Sequence, residues 1–168
     1  MKTVLVVDDL DTFRNSVQSI LQKFGFRVLM ASDGKEALKI VPVELPDLIL
    51  LDVTMPVMNG IAFLTELRAN KASAGIPVIL LTGLADRENV TQAAKLGVAG
   101  YLVKASFSAS YLLGKIEEVL KINLDFMNSK SKEMLHRSDA TLAAESTSCM
   151  LKVIPSWIRM SRIGMKSG

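Results

Sequence analysis

The sequence has one cysteine, one histidine, few aromatic residues and no long apolar run. A lone cysteine, Cys149, cannot form an intrachain disulfide, which favours a reducing, cytoplasmic location. The longest apolar runs, such as residues 48–51, are far shorter than the roughly 18 residues that a membrane-spanning helix needs, so we expect no membrane span. Asp8 and Asp9 end the first apolar run too early for a signal peptide.

Charge is distributed unevenly along the 168 residues. Residues 1–124 hold 13 basic and 13 acidic side chains, whereas residues 125–168 hold 7 and 4, so the net charge of +3 lies in the C-terminal segment. The first 124 residues therefore carry no basic excess that would indicate binding to nucleic acid, and we expect no direct nucleic-acid binding.

Five short apolar runs predict five strands, at residues 4–7, 27–30, 47–51, 77–81 and 98–103. Four of them are continuous rather than alternating, which is typical of strands buried on both faces of a parallel sheet. Segments with helical spacing separate and follow the runs. The order predicts an α/β fold with a doubly wound, five-stranded parallel sheet and helices on both faces.

Polar residues that favour helix ends lie at the borders of the predicted helices. We predict that Asp11, Asp33 and Asn59 are N-caps of the first three helices and that Asp86 precedes the fourth. Glycines, which can adopt the left-handed conformation, are predicted to end the first and fourth helices, at positions 25 and 97. The fifth helix is predicted from the spacing of Leu113, Ile116 and Leu120.

Acidic residues follow two of the predicted strands: Asp8 and Asp9 come after the first, and Asp52 ends the third. In the flavodoxin-like strand order 2-1-3-4-5 those two strands are neighbours, so the three carboxylates converge at the carboxyl edge of the sheet. Like charges in one cleft need a cation, and a site with only oxygen ligands favours Mg²⁺ or Mn²⁺. Thr82 and Lys104 end the fourth and fifth strands at the same edge.

These residues stand in four motifs: VLVVDD at the start, LLDVTMPVMNG around Asp52, VILLTG ending at Thr82, and GYLVK with Tyr101 and Lys104. Residues 1 to about 122 thereby resemble a CheY-like receiver domain of two-component response regulators. On this basis we divide the chain into a receiver domain, residues 1–124, and a C-terminal extension, residues 125–168.

The resemblance implies that Asp52 takes a phosphoryl group from a phosphohistidine on a sensor histidine kinase or phosphotransfer protein. It further implies an Mg²⁺ site formed by Asp8, Asp9, Asp52 and the backbone carbonyl of Thr54. Lys104 and Thr82 would contact the phosphoryl group, and inward movement of Thr82 would let Tyr101 rotate as a switch. Such a chain catalyses its own phosphorylation and dephosphorylation, but acts primarily in signalling.

The chain departs from the family pattern at one position, because Ala105 follows Lys104 where the family usually has a proline in a cis peptide bond. A cis bond before a residue other than proline costs about 3 kcal/mol. This cost disfavours a cis bond, but the sequence leaves open whether the bond between Lys104 and Ala105 is cis or trans, and with it the direction of the Lys104 side chain.

Three other functions are alternatives to phosphorylation. A flavin-binding protein of the same fold is disfavoured because the acidic residues 8, 9 and 11 would repel a phosphate. A haloacid-dehalogenase-like phosphatase requires a second acid at the position of Thr54. A receiver that is not phosphorylated and serves only as an interaction module stays open as the alternative.

The C-terminal extension is too short for a common DNA-binding domain and shows no helix-turn-helix pattern. Either the fifth helix continues through Leu124 and Met127 toward Met134, where a second protomer or a partner helix would cover its apolar side, or it stops near Asn123. His136 and Trp157 match no catalytic or binding pattern strongly enough to assign a role.

Overall fold

The computed structural model describes residues 1–83, 87–122 and 124. Along the chain the elements are β1 (Thr3–Val7), α1 (Asp11–Lys23), β2 (Arg27–Ala31), α2 (Gly34–Glu44), β3 (Leu48–Asp52), α3 (Gly60–Ala69), β4 (Val78–Thr82), α4 (Arg87–Lys95), β5 (Gly100–Val103), the 3₁₀ turn Lys104–Ser106 and α5 (Ala109–Leu120). The predicted alternation of strands and helices is confirmed.

The five strands form one parallel sheet in the order β2-β1-β3-β4-β5. Val7 pairs with Leu51, and Asp52 pairs with Leu81. Thr82 pairs with Val103. This register brings the carboxyl ends of β1, β3, β4 and β5 to one edge of the sheet, as the flavodoxin-like order predicts.

Burial of the strands follows their place in the sheet. Every residue of β3 and β4 is buried, because helices cover both faces of these central strands. The edge strand β5 instead alternates between buried and half-buried residues. Continuous apolar runs therefore predicted the centre of the sheet correctly.

Helix caps were only partly predictable. Asp33 and Asn59 cap α2 and α3 as predicted, and each side chain accepts a backbone N–H bond. The prediction for Asp11 is wrong, since Leu10 occupies the N-cap of α1 and Asp11 is the first helical residue. There it forms an ion pair with Arg14 and places a negative charge at the positive end of the helix.

Glycines end α1 and α4 as predicted. Gly25 and Gly97 have φ angles of +76° and +75°, a conformation that costs glycine little. Asp86, which was predicted to precede α4, lies outside the described residues.

The fifth helix ends at Leu120, because Lys121 adopts a left-handed conformation with φ of 52°. Leu124 is buried, and its N–H donates to the Glu117 carboxylate over 2.6 Å. A continuous helix through Leu124 is therefore wrong. The further residues of the expected stripe, Met127 and Met134, lie outside the described residues, as do His136, Cys149 and Trp157. Within the described part, no helix is long and apolar enough to cross a membrane.

Candidate functional site

Three carboxylates converge where β1 and β3 end. Asp8 and Asp52 are buried, whereas Asp9 is exposed. One oxygen from each lies within 4.8 Å of the others. The structure thus brings together the acidic residues that the sequence analysis placed at this edge.

The Asp8 carboxylate has two different environments at its two oxygens. Oδ1 accepts the N–H of Leu10 over 3.0 Å, which fixes the start of α1. Oδ2 is buried, and no group of the described residues donates to it with hydrogen-bond geometry, although the Lys104 Nζ lies 2.7 Å away as an ion-pair partner. A metal ion could share this oxygen with the Lys104 ammonium group.

Lys104 joins the two buried acids. Its Nζ donates to Asp52 Oδ2 over 2.7 Å and lies at the same distance from Asp8 Oδ2. Burial alone would lower the pKa of Lys104, but the hydrogen bond to Asp52, the close contact with Asp8 and the negative charges of both carboxylates reverse this effect and raise it. The ammonium group is therefore held in its charged form.

Burial raises the pKa of Asp52, and the Lys104 ammonium opposes this effect only in part. The other Asp52 oxygen, Oδ1, accepts the N–H of Thr54 over 3.3 Å. Thr54 itself lies on the exposed start of the loop after β3. Its position beside the acids is compatible with the backbone ligand that the resemblance implies.

The loop after β3 depends on close backbone contact. The N–H of Gly60 donates to the Val53 carbonyl over 3.0 Å, and a Cβ at Gly60 would lie 2.2 Å from the Asp52 carbonyl oxygen. The loop also contains Val57 at φ of 65°, in a tight turn where the Met58 N–H donates to the Pro56 carbonyl over 2.7 Å. Only glycine at position 60 allows α3 to start this close to β3.

Thr82 ends β4 at the same edge and is buried. Its hydroxyl donates to the Gly83 carbonyl over 2.8 Å rather than to a carboxylate. Tyr101 lies on β5, pairs with Leu80 in the sheet and packs half-buried against the apolar core. Burial raises the pKa of the Tyr101 phenol.

Residues that the sequence analysis did not single out surround Lys104. Its Nζ lies 5.1 Å from the centre of the Phe13 ring, and Phe13 meets the ring of Phe107 edge to face at 5.0 Å. Arg14 donates to the backbone carbonyl of Asp8. A lysine beside aromatic rings cannot be predicted from spacing, since Phe13 and Phe107 lie on elements far apart in the chain.

The peptide bond between Lys104 and Ala105 is trans, as are all peptide bonds of the described residues. The three residues from Lys104 form a 3₁₀ turn, closed by the Phe107 N–H donating to the Lys104 carbonyl over 3.2 Å. The sequence left this bond open, and with a trans bond the Lys104 side chain reaches both acids.

A comparison with family models matches residues 4–117 to the response regulator receiver domain. The chain belongs to this family. Receiver domains are parts of two-component systems, and the arrangement of Asp8, Asp52 and Lys104 occurs here on the CheY-like fold that the family shares.

Relatives of this receiver include chemotaxis proteins and longer regulators. The chain is 36% identical over 119 residues to the chemotaxis protein CheY-3 of Vibrio cholerae. This match covers 70% of this chain and 91% of the relative. It is 38% identical over 120 residues to the "Probable transcriptional regulator ycf27" of Cyanophora paradoxa. That match covers 71% of this chain and only 48% of the relative, so the chain spans about half the length of the ycf27 proteins.

Solved structures agree with the receiver fold. The chemotaxis protein CheY4 of Vibrio cholerae superposes with a TM-score of 0.66 at 34% identity, over 71% of this chain and 98% of that one. A CheY-like receiver protein of Methanospirillum hungatei gives a TM-score of 0.67 at 32% identity, over 72% and 94% of the two chains.

Proposed function

We propose that this receiver is a phosphoacceptor, and that Asp52 takes a phosphoryl group from a phosphohistidine of a sensor histidine kinase or phosphotransfer protein. The observation that carries the proposal is the buried Asp52 carboxylate with Lys104 Nζ at 2.7 Å and two further acids beside it. Transfer breaks the bond between phosphorus and the histidine nitrogen and forms a bond between phosphorus and an Asp52 oxygen. The histidine nitrogen leaves with its electron pair and is then protonated.

The donor set fits Mg²⁺, because it contains oxygen ligands and a buried Asp8 oxygen to which no group of the described residues donates a hydrogen bond. Asp8, Asp9 and Asp52 with the Thr54 carbonyl would hold the ion. When bound, Mg²⁺ supplies positive charge that offsets the repulsion between a carboxylate and a phosphoryl group.

The other roles in phosphoryl transfer belong to side chains of this chain. Asp52 is the nucleophile, and Lys104 places its ammonium group where negative charge develops on the phosphoryl oxygens. Thr82 must rotate its hydroxyl from the Gly83 carbonyl to reach that group. Hydrolysis of the acyl phosphate by water at the same site returns Asp52 to its free form.

The signal would leave the site through Thr82 and Tyr101, on the adjoining strands β4 and β5. Movement of Thr82 toward the phosphoryl group would free space for rotation of the Tyr101 ring. This is a two-state change biased by phosphorylation. The face around Tyr101 would then control a partner or self-association in a cytoplasmic pathway.

Labelling of the full chain with acetyl phosphate tests the proposal. In Mg²⁺ the wild type should gain the mass of a single phosphoryl group, and chelation by EDTA should prevent this while the protein stays folded. Asp52→Asn should not be labelled. Asp33→Asn is the matched control and should be labelled normally, because asparagine also caps a helix.

The alternative is a receiver that is not phosphorylated and acts only as an interaction module. Absence of labelling from the folded, Mg²⁺-loaded wild type supports this alternative and contradicts the phosphoacceptor function. Equal labelling of the wild type and Asp52→Asn contradicts Asp52 as the acceptor, because another residue would then carry the phosphoryl group. A homodimer is a separate part of the proposal, and it would form through the face around Tyr101 rather than through a continued fifth helix. Sedimentation of the full chain with and without beryllofluoride should show tighter association in its presence, and monomers in both samples would exclude the dimer.

A further inference from the structure

Lys104 must reach across a neighbouring strand to act on Asp52. It follows β5, whereas Asp52 ends β3, and β4 lies between these two strands in the sheet. A lysine side chain has four rotatable bonds and loses much conformational freedom when its ammonium group is fixed. Contacts that restrict the side chain before the reaction would therefore favour transfer.

The carboxylate contacts of Lys104 depend on the charge of the acids. Nζ lies 2.7 Å from an oxygen of Asp8 and 2.7 Å from an oxygen of Asp52, so either acid can hold it. Both attractions weaken when the negative charge of the acids is shared with a cation. A contact that does not use carboxylate charge would restrict the ammonium group independently of such a cation.

The Phe13 ring provides such a contact. Nζ lies over the ring, 5.1 Å from its centre, within the distance at which a cation is attracted to an aromatic face. Phe13 belongs to the first turn of α1, which is fixed by the bond from Leu10 N–H to Asp8. The ring is thus attached to the same segment as the acids.

Phe107 fixes the orientation of the Phe13 ring. The two rings meet edge to face, with centres 5.0 Å apart and planes at 65°. The backbone N–H of Phe107 in turn donates a hydrogen bond to the Lys104 carbonyl over 3.2 Å. Lys104, Phe13 and Phe107 therefore each contact the other two, and these contacts join the start of α1 to the 3₁₀ turn.

We propose that Phe13 is a positioning residue that holds the Lys104 ammonium group over Asp52 by a cation–π contact, with Phe107 setting the angle of the Phe13 ring. This inference rests on the proposed function, because the reaction in which Lys104 takes part is phosphorylation of Asp52.

The test compares Phe13→Leu, Phe13→Tyr and Phe107→Leu in the full chain. Leucine keeps an apolar side chain at position 13 but removes the ring, and tyrosine restores a ring. Tyr111→Leu is the matched control, because it removes an exposed aromatic side chain from α5. Thermal unfolding followed by circular dichroism establishes that each variant is folded.

Two readouts are measured. The NMR shifts of the Lys104 ε-methylene group report the ring directly and need no phosphorylation. We expect Phe13→Leu to move these shifts downfield, because the shielding over the ring face is lost. The initial rate of labelling by acetyl phosphate should fall about threefold to tenfold in Phe13→Leu, by less in Phe107→Leu, and return near the wild-type rate in Phe13→Tyr.

The outcomes separate this inference from the proposed function. A folded Phe13→Leu variant that is labelled as fast as the wild type overturns the positioning role alone, even if the Lys104 shifts move. Equal rate losses in Phe13→Leu and Phe13→Tyr also overturn it, because a ring at position 13 would then have no effect. A wild type that is not labelled contradicts the proposed function, and the inference falls with it.

Discussion

The Lys104 ammonium group lies 2.7 Å from the Asp52 carboxylate, although the two residues are 52 positions apart in the chain. The contact exists because β3, β4 and β5 are parallel neighbours whose carboxyl ends meet at one edge. The same edge receives Asp8 from β1, which is why one lysine pairs with two acids. Topology, rather than local sequence, builds the site.

Replacing Gly60 should disrupt the loop that supports Asp52. A Cβ there would lie 2.2 Å from the Asp52 carbonyl oxygen and 3.0 Å from the Val53 Cα, both backbone atoms. We expect Gly60→Ala to lower the free energy of unfolding by about 2–4 kcal/mol, measured by urea denaturation.

Gly114 is the matched control for this substitution. It lies within α5, and a Cβ there meets no atom of the described residues within 4 Å. Alanine is the better helix former, so Gly114→Ala should raise the free energy of unfolding by about 0.5–1 kcal/mol. Similar effects of the two substitutions would contradict the close contact at Gly60.

Asp9 adds a third negative charge to a cluster in which Lys104 pairs with Asp8 and Asp52. Removing that charge should therefore stabilise the metal-free protein. We expect Asp9→Asn to raise the free energy of unfolding in EDTA by up to about 1 kcal/mol, and to weaken the stabilisation by added Mg²⁺. A melting temperature in EDTA at or below that of the wild type would count against charge crowding.

Asp47 connects the starts of β1 and β3 and should make stability depend on pH. Its burial favours the neutral acid, but the Lys2 ammonium at 2.7 Å and the Thr3 N–H at 2.8 Å outweigh this and hold its pKa below the ordinary value of 3.8. Because the folded pKa is depressed, the stabilisation is present above pH 3.8 and is lost as the pH falls through the folded pKa.

Asp47→Asn should therefore lower the free energy of unfolding by about 1 kcal/mol at pH 7, since the pair is partly exposed and screened by solvent. The difference from the wild type should close as the pH falls below the ordinary aspartate range. Lys2→Met, which leaves the Thr3 bond in place, should have a smaller effect. A deficit in Asp47→Asn that is constant from pH 7 down to pH 3 would refute the assigned cause.

The fold was predictable because burial in a central parallel strand demands a continuous apolar run, as in β3 and β4. The acidic cluster followed from the same pattern, since Asp8 and Asp52 directly follow or end such runs. Asp33 and Asn59 were predictable as caps because their side chains accept hydrogen bonds from backbone N–H groups no more than three residues further along the chain.

Other features depend on contacts that spacing does not reveal. Asp11 is of a residue type that favours helix N-caps. However, the Asp8 carboxylate accepts the Leu10 N–H, so Leu10 is the N-cap and Asp11 is the first helical residue. The apolar spacing through Leu124 continues beyond α5, yet the helix ends before Lys121. Leu124 is buried although it lies outside the helix. Phe13 faces Lys104 only because α1 and the turn after β5 meet in three dimensions.

The position of the phosphoryl group is the most direct test of Asp52 as the acceptor. Borohydride reduces an aspartyl phosphate to homoserine, so the full chain is labelled with acetyl phosphate in Mg²⁺, reduced, digested and sequenced by mass spectrometry. We predict homoserine at position 52, and none there when EDTA replaces Mg²⁺. Homoserine at Asp8 or Asp9 in place of position 52, or no homoserine in a folded and Mg²⁺-loaded protein, would contradict the assignment.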